Sequence, residues 1–249
     1  MMRDESKNTV GTTETTEQLN EVAKQDKKAK RLAKARKYIL KHLRVKPDFP
    51  DAEILFCDVC GVLSQLHGPR AIYTTVLALV KQFEFDAVMV PESRGFLIGM
   101  LIAALLDKPI ILARKKGKLP FLTFKASQKI EYGDSEVTLY VQELDFVPIK
   151  KKCAKENRKP RILLADDLIA IGGTQKMLRE LVMAADCEVA GIMTLFRLKD
   201  IQMPEVLKPY QSAFGFEFTK ADLLAIESKT KVKIEKFREN GWLKLEEVG

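Results

Sequence analysis

The strand-like run RILLA at 161–165 leads into two adjacent carboxylates, Asp166 and Asp167. After four intervening residues, Gly172-Gly173-Thr174 opens a helix-like stretch. Glycines at such a turn let consecutive backbone N–H groups converge on one point, a nest for phosphate oxygens. The helix that follows adds free donors and the positive end of its dipole. Two neighbouring carboxylates at a buried strand end are costly unless sugar hydroxyls, Mg2+ or cationic neighbours compensate them. The pattern is neither a Walker A loop nor a dinucleotide G-x-G-x-x-G, because the glycine spacings differ.

Cations cluster at two other places. Arg94 follows the compact apolar run DAVMV, 86–90, so its guanidinium belongs at a strand end, where it can grip an anion bidentately. Lys115 and Lys118 lie in the basic run RKKGKLP, 114–120. Glu131-Tyr132-Gly133 sits between two alternating segments and by itself reads as a turn. Cys57 and Cys60 form a C-x-x-C, but no second such pair exists and the only histidines are His42 and His67. A tetrahedral zinc site would need distant ligands, so the pair reads as two reduced thiols.

The elements that must position these groups alternate. Residues 52–59 read as extended and 69–83 as a helix with proline in its first turn. Residues 86–90 read as a strand buried on both faces, followed by a helix over 95–106 and a strand over 109–113. A hairpin is expected over 121–141, turning at Tyr132-Gly133-Asp134. A strand over 161–165 precedes a helix to about Ala185 and a strand over 187–196. Strand–helix–strand repetition implies parallel pairing and crossover helices. The tail adds a strand near 214–218 and a helix over 219–238. Residues 1–20 are polar and expected to be disordered, and 21–43 to be helical, with a thin stripe of Leu32, Ala35, Ile39 and Leu43.

At 249 residues and 46% hydrophobic, the chain can bury a sizeable core without disulfides or metals. No run of about 18 apolar residues predicts a membrane span, and no apolar signal region predicts export. The net charge of +8 is uneven: residues 1–50 carry 13 Lys/Arg against 7 Asp/Glu, the rest 29 against 27. Lys and Glu interleave in this arm as on a solvated helix, and Tyr38, its one aromatic before Pro47, speaks against single-stranded nucleic acid as a partner.

The acid pair with Ala170, Ile171, Gly172, Gly173 and Thr174 resembles the PRPP-binding motif of type I phosphoribosyltransferases. Glu92-Ser93-Arg94-Gly95-Phe96-Leu97, Arg114-Lys115-Lys116-Gly117-Lys118-Leu119-Pro120, Glu131-Tyr132-Gly133 and Pro47-Asp48-Phe49-Pro50 sharpen the likeness to the adenine-specific members. The motifs keep the family's order and nearly its spacing over residues 40–200. The resemblance implies an α/β fold: a doubly wound, mostly parallel twisted sheet with flanking helices, an inserted flexible β-hairpin and a small hood. It divides the chain into an N-terminal extension (1–35), the phosphoribosyltransferase domain (36–200) and a C-terminal extension packed on it (201–249).

It also implies roles. Asp166 and Asp167 would contact ribose hydroxyls, and 170–174 would grip the 5′-phosphate. Glu92, Ser93, Arg94, Arg114, Lys115 and Lys118 would hold pyrophosphate, with a cis peptide at Glu92–Ser93. Leu55, Phe56, Cys57 and Leu168 would enclose adenine. Glu131, Tyr132 and Arg94 would be catalytic. The reaction implied joins adenine to PRPP, giving AMP and pyrophosphate, in a cytoplasmic homodimer with Mg2+ held mainly by PRPP and no direct metal ligand. Several positions depart from the pattern. Ile171 replaces a threonine, Cys57 an arginine, Cys60-Gly61 a Ser-Pro and Glu92 an aspartate. The competing expectation is a catalytically weak relative that binds nucleotide or PRPP as a sensor or partner subunit.

Overall fold

The computed structural model describes residues 10–48, 55–129 and 136–240. Its centre is a seven-stranded sheet flanked by helices on both faces. In chain order the elements are α1 (Val10–His42), β1 (Arg44–Pro47), β2 (Leu55–Asp58), α2 (Cys60–Leu63), α3 (Gly68–Val80), β3 (Ala87–Pro91), α4 (Gly95–Leu106), β4 (Ile110–Lys115), β5 (Thr123–Lys129), β6 (Glu136–Gln142), α5 (Val147–Ala154), β7 (Arg161–Ile169), α6 (Gly173–Ala184), β8 (Glu188–Leu198), β9 (Ser212–Phe218) and α7 (Lys220–Glu239). The sheet order is β5-β6-β4-β3-β7-β8-β9. Strands β4, β3, β7, β8 and β9 run parallel, and β5 and β6 form an antiparallel hairpin joined to β4 through β6. β1 and β2 make a separate antiparallel pair, the hood.

The central strands are buried on both faces, so period-two alternation sorts their side chains between two cores. Val88, Val90, Leu163 and Ala165 join Ile98 and Ile102 of α4 and the helices α1 and α3. Ala87, Met89, Ile162 and Leu164 face the other way, onto Met177, Leu178 and Leu181 of α6. Full burial of each large aliphatic side chain contributes about 1.5–3 kcal/mol. The two faces decide where ligands bind. The chain leaves β3 through α4 on one face toward β4, and leaves the adjacent β7 through α6 on the other face toward β8. Neighbouring parallel strands whose connections depart in opposite directions open a crevice at their carboxyl ends.

Three sequence expectations change. α1 starts at Val10, inside the segment expected to be disordered. Ala35 and Ile39 anchor its last turns in the core, and once nucleated a helix without proline propagates at one hydrogen bond per residue. β1 was not anticipated, because RVKP is too short to show alternation; pairing with β2 creates it. β7 runs four residues past Ala165, because β8 continues to pair with it as far as Ile169↔Arg197. Among the described residues no helix is long and apolar enough to cross a membrane.

Candidate active site

β3 stops pairing with β7 at Met89↔Leu164. The next residues of β7, including Asp166 and Asp167, therefore lie beside the crevice, where among the described residues only β8 pairs with them. Both carboxylates are buried within the strand, Asp167 to 2% exposure, rather than standing at its tip. Asp166 Oδ1 accepts the backbone N–H of Asp167 at 2.8 Å, and its Oδ2 accepts Nε2 of the buried Gln175 at 3.3 Å. Asp167 Oδ2 lies 3.1 Å from Arg94 Nε, an ion-pair distance, yet among the described residues it receives no hydrogen bond. Burial raises both acids above the usual carboxylate range; Asp167's charge pushes Asp166 further, while Arg94 draws Asp167 back down.

Arg94 reaches this pair from the turn between β3 and α4. Its Nη1 donates to the carbonyl of Cys57 at 3.1 Å, and its guanidinium stacks 4.6 Å over the ring of Phe56. One side chain thus ties the hood strand β2 to the acid pair. The peptide Glu92–Ser93 is cis, as the resemblance implies. Glu92 Oε2 accepts the N–H of Lys115 at 3.0 Å and Nε of Arg114 at 3.1 Å, and these donors hold its carboxyl below the usual range. The end of β4 is thereby fixed to the turn that carries Arg94, with Lys115 and Lys118 exposed beyond it.

Across the crevice, Gly172 takes φ +81° before α6, in the left-handed region that side chains avoid. A Cβ there would stand 2.7 Å from Cδ of Pro204. The N-cap of α6 is Gly172, which has no side chain, so the N-cap residue leaves the first-turn amides uncapped, an arrangement suited to an anion. Ile171 is 44% exposed, and Leu168 packs partly against the core. β5 leans over this loop: a Cβ on Gly173 would touch Cγ of Gln128 at 3.4 Å. Glu131 and Tyr132 lie outside the described residues. Cys57 is buried, its thiol pushed up to about 12 by burial first and Asp167's charge next, so it is no thiolate.

The structure therefore gathers Arg94, the acid pair, the Gly172 turn, Phe56 and Cys57 at one end of the sheet. Sequence reasoning missed Gln175 and Gln128. Gln175 had a signal: it stands on the same helical stripe as Leu178, Leu181 and Val182, all buried.

Over 173 residues the chain is 31% identical to adenine phosphoribosyltransferase of Petrotoga mobilis, a match covering 70% of this chain and 93% of that one. Over 179 residues it is 33% identical to adenine phosphoribosyltransferase of Campylobacter jejuni subsp. doylei, covering 72% and 93%. The chain belongs to the adenine phosphoribosyltransferase family. No family model matches it. Solved adenine phosphoribosyltransferases superimpose on it. The enzyme of Thermoanaerobacter pseudethanolicus does so with a TM-score of 0.64 at 27% identity, covering 74% of this chain and 99% of that one. The Saccharomyces cerevisiae enzyme, in complex with D-2,5-dideoxy-2,5-imino-altritol 1,6-bisphosphate and adenine, gives 0.60 at 25%, covering 75% and 98%. An adenine phosphoribosyltransferase fold of this kind is the doubly wound sheet with hood and hairpin described above.

Proposed function

We propose that the chain transfers the 5-phosphoribosyl group of PRPP to N9 of adenine, releasing pyrophosphate and forming AMP. The observation that carries this reading is the convergence of Arg94, the buried acid pair and the uncapped N-terminus of α6 at one crevice. The C1′–oxygen bond to pyrophosphate breaks, the C1′–N9 bond forms, and the N9 proton leaves to a base. Positive charge develops on the ribosyl ring, as in glycoside chemistry. The chain's part is to align the base with C1′, neutralise the leaving group and move that proton.

In this reading the Ala170–Thr174 loop receives the 5′-phosphate and Asp167, with Asp166 behind it, faces the ribose hydroxyls. Ser93, Arg94, Arg114, Lys115 and Lys118 meet pyrophosphate, while Glu92 fixes Arg114 and the Lys115 backbone. Leu55, Phe56 and Leu168 border the base, Glu131 takes the proton, and Tyr132 helps exclude water. Arg94 exchanges its contact with Phe56 for substrate oxygens as both ligands enter.

Mg2+ belongs to the same proposal. Asp166 spends both oxygens internally and Asp167 faces Arg94, a donor set that suits a metal carried by PRPP rather than one bound by the chain. When bound, it would neutralise pyrophosphate oxygens. A cytoplasmic homodimer completes the reading, with Leu97 and Met100 of α4 offering exposed apolar surface to a second copy.

Ligand-induced stabilisation tests the phosphate assignment. AMP at 100 times its Kd is expected to add about 2.7 kcal/mol to stability, raising the unfolding temperature. Adenosine at the same concentration is expected to add far less; an equal shift from adenosine contradicts the phosphate nest. Ile171→Thr restores a hydroxyl beside the loop. A hydrogen bond to a charged group contributes about 1.5 kcal/mol at the lower end, so the KM for PRPP is expected to fall about tenfold. An unchanged KM means the pocket is built around isoleucine.

A further inference from the structure

Asp166 is enclosed on three sides. Its Oδ1 accepts the N–H of Asp167, its Oδ2 accepts the Gln175 carboxamide, and a Cβ on Gly95 would stand 3.0 Å from Oδ1. Gln175 is itself 2% exposed, in the first turn of α6, a helix that also buries Met177, Leu178, Leu181 and Val182. A buried amide without a partner is costly, and a leucine would suit that helix face better; the contact that justifies glutamine here is the one to Asp166. The hydrogen bond also spans two functional elements. β7 carries the acid pair, and α6 presents the uncapped amides of the phosphate loop.

We propose that Gln175 is a positioning residue for phosphoribosyl transfer: by clamping Asp166 it locks the strand that offers Asp167 to the ribose against the helix that receives the 5′-phosphate. The proposal rests on the reading of the site given above and adds to it a residue that touches no substrate. Ribose and phosphate are parts of one ligand, so the distance between their two binding elements sets how well PRPP fits. Adenine binds at the hood side and does not depend on that distance. Loss of the clamp therefore acts on PRPP and leaves adenine alone.

Among the described residues, the charged groups that face Asp166 are Asp167 beside it on β7 and Arg94 from the start of α4, and α6 presents the Gln175 amide. A donated hydrogen bond favours the ionised carboxyl, so its removal shifts the titration of the pair upward. A carboxylate in place of the amide does something different. At low pH it shares one proton with Asp166 and keeps the clamp; at high pH two like charges oppose each other.

The test compares full-length wild type, Gln175→Leu and Gln175→Glu in AMP formation, varying PRPP and adenine separately across the neutral pH range, with unfolding temperatures measured alongside. Gln175→Leu is expected to raise the KM for PRPP about tenfold, to change the KM for adenine less than about twofold, and to move the acidic limb of kcat/KM to higher pH. Gln175→Glu is expected to lose kcat/KM for PRPP as pH rises, where wild type does not. If Gln175→Leu fails to fold, the near-isosteric Gln175→Glu still decides: a pH profile like wild type's overturns the clamp. An active wild type with both variants unchanged in PRPP kinetics overturns the positioning role alone. A wild type that forms no AMP overturns the functional reading and the positioning role with it.

Discussion

Gly172→Ala is expected to raise the KM for PRPP about 30- to 100-fold, with the KM for adenine and the overall fold little changed. Gly172 holds φ +81°, and an alanine forced into the left-handed region loses about 1–2 kcal/mol. Its Cβ would also stand 2.7 Å from Cδ of Pro204, a ring that cannot swing away as a flexible side chain would. Together these amount to roughly 2–3 kcal/mol, with tenfold in affinity for each 1.4 kcal/mol. The free enzyme can escape by letting the 170–172 turn relax, which spares stability. It then lacks the converging amides until PRPP forces the turn back, so the cost falls on PRPP binding. Initial rates with each substrate varied in turn check this. A PRPP affinity equal to wild type's would show that the phosphate does not use this turn.

Glu131→Ala is expected to cut kcat by about 100- to 10,000-fold, the range of a lost general acid or base, while the KM for adenine stays within a few-fold. β5 and β6 pair as far as Lys129↔Glu136, and Gln128 already lies against Gly173, so the hairpin stem borders the phosphate loop. Glu131, two positions past the end of β5 in the chain, is the acid to which the family resemblance gives this role, and the reaction must dispose of one proton from adenine. A variant that weakens adenine binding and turnover equally would assign Glu131 to binding rather than to proton transfer. Adding pH dependence separates the two further: the limb that reports the base disappears with Glu131→Ala only if the residue titrates in turnover.

The readable and unreadable parts of this protein divide along physical lines. DAVMV and RILLA announced buried parallel strands because both faces of such strands are apolar, and the structure places Val88 and Met89 in opposite cores. The phosphate turn was legible because glycine is nearly obligatory at positive φ, and Gly172 takes that conformation. The extension of β7 through Asp166-Asp167-Leu168-Ile169 was not legible. Two carboxylates break any hydrophobic pattern, and only the continued ladder with β8 keeps the segment extended. Arg94 was read as a ligand for pyrophosphate; nothing in its neighbours could reveal that it also bridges Asp167, the Cys57 carbonyl and the Phe56 ring, contacts separated by up to 73 positions in the chain. Gln175 shows the intermediate case. It was missed although it stands on an apolar helical stripe with Leu178 and Val182, and its partner lies nine residues back on another element.

Nucleotide formation from PRPP and Mg2+, with adenine, guanine and hypoxanthine supplied separately, decides whether the crevice performs adenine phosphoribosyl transfer. AMP from adenine alone, at ordinary enzymatic turnover and with one pyrophosphate released per AMP, is the expected result. No product from any base, in a protein that still binds PRPP or AMP, would contradict it and leave the crevice as a nucleotide-sensing or partner-dependent site.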